Sequence, residues 1–158
     1  MKPINLTKKA LGNGAMMRLS DDGKFVTNGH WLCRRSLLKQ GPALVSVEAA
    51  QALYPAAAVS AVPGSDVERV VPDYGDPVVY SRTRWMQDAG DDAVLFRAKD
   101  GSQIWINRRY VDLFNLEDIV SQSCPGEVCI DPAVVGTGKS DWTVAVMPMR
   151  LDYHEGVK

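Results

Sequence analysis

Short apolar stretches divided by turn residues dominate the first quarter of the chain. Met16 to Ser20, Lys24 to Thr27 and His30 to Cys33 are separated by Asp22-Gly23 and Asn28-Gly29, dipeptides suited to tight hairpin turns. The pattern predicts a three-strand meander. A two-residue turn at Asn28-Gly29 sets Phe25 opposite Leu32, and a three-residue turn from Asp21 to Gly23 sets Leu19 opposite Phe25. Met17, Leu19, Phe25 and Leu32 are then expected on one face, because a one-residue slip would carry the whole set into water.

Ser46 is a suitable N-cap for a helix from Val47 to Tyr54, which Pro55 cannot continue. Ala56 to Ser65 has no clear period and contains Pro63-Gly64, so it reads as a connection. From Val78 to Met86 the alternation of a strand returns, with Arg82 and Arg84 on one side and Val79, Thr83 and Trp85 on the other. Val94 to Lys99 and Ser102 to Asn107 flank Asp100-Gly101. A two-residue turn there would place Arg97 opposite Ile104. A three-residue loop from Lys99 to a left-handed Gly101 instead puts Val94, Phe96 and Ala98 on the face of Ile104 and Ile106, and that coherent apolar face selects it.

Tyr110, Leu113, Phe114 and Glu117 recur at helical spacing and predict a second helix from about Arg109. Trp142 to Leu151 reads as a final strand, in which Pro148 must stand at an edge, an end or a bulge. Hairpin-length links without repeated helical crossovers predict a single α+β domain over residues 15–153, a mainly antiparallel sheet with two short helices. Residues 1–14 and 154–158 are expected to be loosely ordered.

The chain has 158 residues, 46% hydrophobic and 23% charged, which excludes bulk disorder and suits one globular core. No apolar run is long enough to cross a bilayer, and the first residues lack the apolar centre of a secretory signal, so a cytoplasmic location is expected. Eighteen basic against nineteen acidic residues leave no global field drawing the chain to nucleic acid. Three cysteines do not make a disulfide framework.

Gly136-Thr137-Gly138-Lys139-Ser140 looks like the end of a phosphate-binding loop. Ala133 stands where that loop needs its first glycine, and a strand follows where a helix should, so a hairpin turn is expected. Cys124 and Cys129 are spaced to approach one ion, but zinc needs about four ligands and only Cys33, His30 and His154 remain. No metal, cofactor or catalytic residue is therefore assigned, and a small metal or redox protein using Cys124 and Cys129 is an alternative. His30, beside Trp31 in a hairpin, reads as a packing residue, and Asp21-Asp22 and Asp91-Asp92 as turn caps. Arginine pairs lie close to tryptophans, the pairing of charge and ring that a nucleic-acid groove uses. Arg82, Arg84, Arg108 and Arg109 form a second alternative, a nucleic-acid-binding face.

The terminal run Val144-Ala145-Val146-Met147-Pro148-Met149-Arg150-Leu151 resembles the end of the bacterial replicative sliding clamp, which closes on Met-Pro-Met-Arg-Leu. In that family this end forms a wall of the hydrophobic cleft that receives short linear peptides. The resemblance implies a partner site of Met147, Pro148, Met149, Arg150 and Leu151, with the methionines adapting to varied partners and Arg150 at the rim. It covers these eight residues alone, seven more follow Leu151, and the chain could hold only one of the clamp's three domains. The cadence of meander, Gly-His-Trp-Leu-Cys-Arg-Arg, middle hairpin and terminal strand also resembles small bacteriophage and mobile-element proteins. Together these imply a non-catalytic accessory protein that binds a host or viral protein without a membrane. An exposed edge strand would also permit a homodimer.

Overall fold

The structure, a computed structural model, describes residues 2–7, 16–89 and 91–150. Along the chain run β1 (Met16–Ser20), β2 (Phe25–Thr27), β3 (Trp31–Arg34), α1 (Val47–Leu53), β4 (Ala58–Val62), α2 (Gly64–Glu68), β5 (Pro77–Ala89), β6 (Asp91–Ala98), β7 (Gln103–Asn107), α3 (Arg108–Phe114), β8 (Asp118–Gln122), β9 (Ala133–Gly138) and β10 (Asp141–Val146). Among the described residues the ten strands form one sheet, ordered β4-β1-β2-β3-β10-β9-β8-β5-β6-β7. The α+β class stands, with more strands than expected, three short helices rather than two, and one parallel strand pair, β1 with β4.

That parallel pair corrects the reading of residues 56–65 as a connection. Ala-Val-Ser-Ala-Val carries little burial signal, yet it satisfies the free backbone edge of β1 along five residues. On its far side the Gln51 side chain donates from Nε2 to the Ala57 carbonyl at 2.7 Å and accepts the Val59 backbone amide at Oε1 at 3.4 Å.

The meander forms, but in a different register. Leu19 pairs with Val26 rather than Phe25, and Phe25 pairs with Arg34 rather than Leu32. The first shift is by one residue and splits the expected set: Met17 and Leu19 join Val26 and Cys33 on one face, while Phe25 and Leu32 face the other way. The cause lies in the turn. The Ser20 hydroxyl accepts from the Phe25 amide at 2.9 Å and donates to Asp22 at 2.6 Å, while Asp22 accepts the Lys24 amide at 3.0 Å, so side chains serve the four-residue turn. Nor does burial oppose it, since α2 covers the second face with Val67, and Val71 packs beside it.

The β6–β7 hairpin matches the expected register, with Phe96 opposite Ile104 and Val94 opposite Ile106, all buried, and Gly101 at φ +89°. The turn expected at the Gly136 to Ser140 segment also forms, joining β9 to β10. The final strand is shorter than predicted, stopping at Val146 ahead of Pro148, which has no amide to continue a ladder.

One core gathers side chains from both ends of the sheet, among them Met17, Val26 and Trp31, and Phe96, Ile104 and Ile106. Trp31 on β3 meets Phe114 on α3 edge to face, with ring centroids 5.4 Å apart. In a flat sheet β3 and β7, six strands apart in the order, would be separated by about 29 Å. The sheet therefore curls around its core. Within residues 2–7, Ile4 and Leu6 pack into that core: both are buried, the Tyr54 hydroxyl donates to the Leu6 carbonyl at 2.6 Å, and the Ile4 amide donates to the Leu37 carbonyl at 2.7 Å.

Candidate functional site

The chain leaving β10 bridges the curl. The Met147 amide donates to the His30 carbonyl at 2.9 Å and the Met149 amide to the Trp105 carbonyl at 2.7 Å, so these residues cross from β3 to β7. Two clefts open on either side of this bridge, and both are lined by His30 and Met147.

The larger cleft, about 490 Å³, lies between α2 and the outer face of β1, β2, β3 and β10. Val67, Val70, Leu32, Ala145 and Pro132 give it apolar walls, and Arg18 and Asp66 are its charged lining residues. The helix that makes one wall is set in place by the Gly64 amide, which donates to Asp21 at 2.9 Å, and by Val67 and Val71 packing toward Phe25 and Trp142. Phe25 and Trp142 are stacked at 5.2 Å, and the Arg34 guanidinium lies over both rings and donates to the Trp142 carbonyl. Val67, Val70 and Val71 stand at helical spacing in the sequence, a signal from which this wall could have been found.

The smaller cleft, about 280 Å³, is lined by Met147, Pro148, Met149 and Arg150 together with His30, Asn107, Arg109 and Tyr110. Its wall is fixed from α3, where Asn107 caps the helix by accepting the Arg109 amide at 2.8 Å, and Tyr110 stacks on His30 with centroids 6.3 Å apart. Four of the five predicted partner residues therefore share one cleft; Leu151 lies outside the described residues. Their roles differ. Met147 is 37% exposed, whereas Met149 packs against the outer cluster of Ala93, Leu95, Trp105 and Val128.

The four alternative arginines are divided. Arg82 and Arg84 are exposed on β5, where the ladder to β6 shifts between Arg82 and Met86. Thr83 stabilises this bulge by donating to the Leu95 carbonyl at 2.8 Å and accepting the Trp85 amide at 3.1 Å, leaving Trp85 66% exposed. The expected alternation of Thr83 and Trp85 against the arginines ends there. Arg108 is engaged by Asp92 at 3.3 Å and Asp112 at 3.7 Å, and Arg109 lines the smaller cleft.

Cys124 and Cys129 flank the turn after β8 and approach each other. Burial, aided by the neighbouring Cys129 thiol, pushes Cys124 up to about 12, which disfavours the thiolate that metals and nucleophilic chemistry require. Cys33 is likewise raised to about 12 by burial. Among the described residues no three His, Cys, Asp or Glu side chains cluster as a metal site would need, and no helix is long and apolar enough to cross a membrane. Comparison with protein-family models, curated proteins and solved structures found no match.

Proposed function

We propose that the protein is a non-catalytic accessory module that binds a protein partner through the clefts on either side of Met147. The observation that carries this reading is the larger cleft, whose volume suits the side chains of a short peptide and whose walls are mostly apolar. The run Met147 to Arg150 adds flexible methionine side chains at the junction, which suits a linear segment of a host or viral protein. Affinity capture from a bacterial lysate with wild type, Val70→Asp and Met147→Asp tests it, since both positions are substantially exposed and the variants should stay folded. A protein retained by wild type and lost by both folded variants supports the cleft; equal retention by all three removes it.

A second reading is favoured by the Thr83–Trp85 bulge, which holds an exposed indole beside exposed Arg82 and Arg84. Such a group can stack on a base while the guanidinium groups follow phosphates. Trp31, Trp105 and Trp142 are buried, so quenching of tryptophan emission by a single-stranded oligonucleotide would report mainly on Trp85. Quenching that weakens steeply with salt and is lost in Trp85→Phe supports this reading, and absence of quenching at low salt removes it.

A further inference from the structure

We infer that a third cleft, at the open end of the β2–β3 hairpin, binds a small diphosphate-bearing molecule through Lys24, Arg34 and Arg35. The site shares no lining residue with the two clefts around Met147, so the inference is independent of the peptide-binding reading.

This cleft, about 620 Å³, is lined by those three cations, the Ser36 hydroxyl, Gly23 and Gly41, with no carboxylate among its described lining residues. The hairpin brings the cations together. Phe25 pairs with Arg34, and the Arg35 amide donates to the Lys24 carbonyl at 2.8 Å, so Lys24 and Arg35 stand opposed one step further along. Like charges opposed across a ladder are destabilising, and among the described residues none of the three cations forms an ion pair. Two carboxylates stand nearby, and each is already engaged. Asp22 attracts Lys24 but accepts the Ser20 hydroxyl and the Lys24 amide, while Asp21, which lines a neighbouring pocket with Arg35, accepts the Gly64 amide. Neither lines the cleft, and together they leave the three cations in excess.

Both arginines are held from behind. Arg34 donates from Nε to the Trp142 carbonyl at 2.9 Å, and its guanidinium lies 5.4 and 5.7 Å from the ring centroids of Phe25 and Trp142. Arg35 donates from Nη1 to the Leu44 carbonyl at 3.4 Å. The chain after β3 folds closely against Arg35: a Cβ at Gly41 would stand 2.3 Å from the Arg35 carbonyl oxygen. Each arginine spends one nitrogen on its anchor and keeps the rest of its fork for an anion, with less side-chain freedom left to lose on binding.

Three cations and a hydroxyl around one cleft match the several oxygens and charges of a diphosphate better than a single carboxylate. Phe25 and Trp142 are buried behind Arg34, and no aromatic ring lines the cleft to stack on a base. A net charge of -1 also denies the chain the extended positive field that a nucleic-acid backbone follows. The concave, local cluster therefore favours a small molecule held by its phosphates.

Calorimetric titration of the full chain with pyrophosphate tests this, with sulfate and a single-stranded oligonucleotide titrated in parallel at the same ionic strength. Pyrophosphate should bind saturably and more tightly than sulfate. Lys24→Gln and Arg35→Gln should each weaken it about ten-fold while circular dichroism shows them folded. Lys24 is exposed, so Lys24→Gln decides the matter if Arg35→Gln fails to fold. Pyrophosphate binding that is absent, equal to that of sulfate, or unchanged in Lys24→Gln overturns the site. Binding of the oligonucleotide alone, lost in Lys24→Gln, would mean that phosphates are read along a strand and would overturn the small-molecule assignment.

Discussion

The Met149 amide donates to the Trp105 carbonyl at 2.7 Å, and this bond ties the chain leaving β10 to the outer edge of β7. The same edge is met by residues after β8, where the Gln103 amide donates to the Glu127 carbonyl and the Cys129 amide to the Gln103 carbonyl. A strand that would otherwise offer open backbone groups to another chain is thus occupied at its first residue and at its middle.

Met149 and Met147 should consequently respond differently to the same substitution. Met149→Asp brings a carboxylate against Trp105, Leu95 and Val128 and should cost about 1–3 kcal/mol, as burial of a poorly compensated polar group does. Met147→Asp, at a more exposed position, should change stability by less than about 0.5 kcal/mol. Urea denaturation of the two variants checks this. Equal stability would mean that Met149 has no packing role, whereas a difference makes Met147 the better position for testing partner capture.

Residues 2–7 should contribute to the stability of the whole fold. Leu6 is 1% exposed, and Leu6→Ala should cost about 2–5 kcal/mol through lost burial and an unfilled space. Thermal denaturation decides, and an unchanged midpoint would contradict the packing of Leu6 in the core.

Two turn carboxylates should make stability fall in acid. Hydrogen bonds from serine hydroxyls, Ser20 to Asp22 and Ser123 to Asp100, are the leading cause that holds each below its ordinary 3.8. A carboxyl depressed in the folded state contributes stability that is complete above its unfolded pKa and lost as pH falls through the folded value. The advantage of wild type over an Asp22→Asn, Asp100→Asn double variant should therefore shrink below about pH 4. A gap in melting temperature that stays constant with pH would show that neither carboxylate charge matters.

The thiols should be slow to react in the native protein. With burial raising the Cys33 and Cys124 thiols to about 12, little of either is thiolate at pH 8, and Cys129 is buried. Iodoacetamide should label the folded chain far more slowly than the chain in urea. Rapid labelling of Cys124 in the folded state would instead revive its candidacy as a redox group.

Local patterns carried much of the fold. Ser46 capped a helix as its residue type implied, and Gly101 set the β6–β7 register because only one loop length buries Phe96 and Ile104 together. The meander register was not legible in the same way. Ser20 and Asp22 lengthen its first turn, and the position of Phe25 depends on α2 covering a face that the local sequence expects to be wet.

The candidate site divides along the same line. Sequence resemblance singled out Met147 to Arg150, and the chain by itself determined their order and chemical type. Tertiary structure alone decided that β3 and β7 approach across the curl, that Met149 is held there while Met147 stands at the junction, and that Arg109 joins Arg150 in one cleft. Contacts of this kind join residues far apart in the chain, and they follow from how the sheet closes over its core, which no local periodicity encodes.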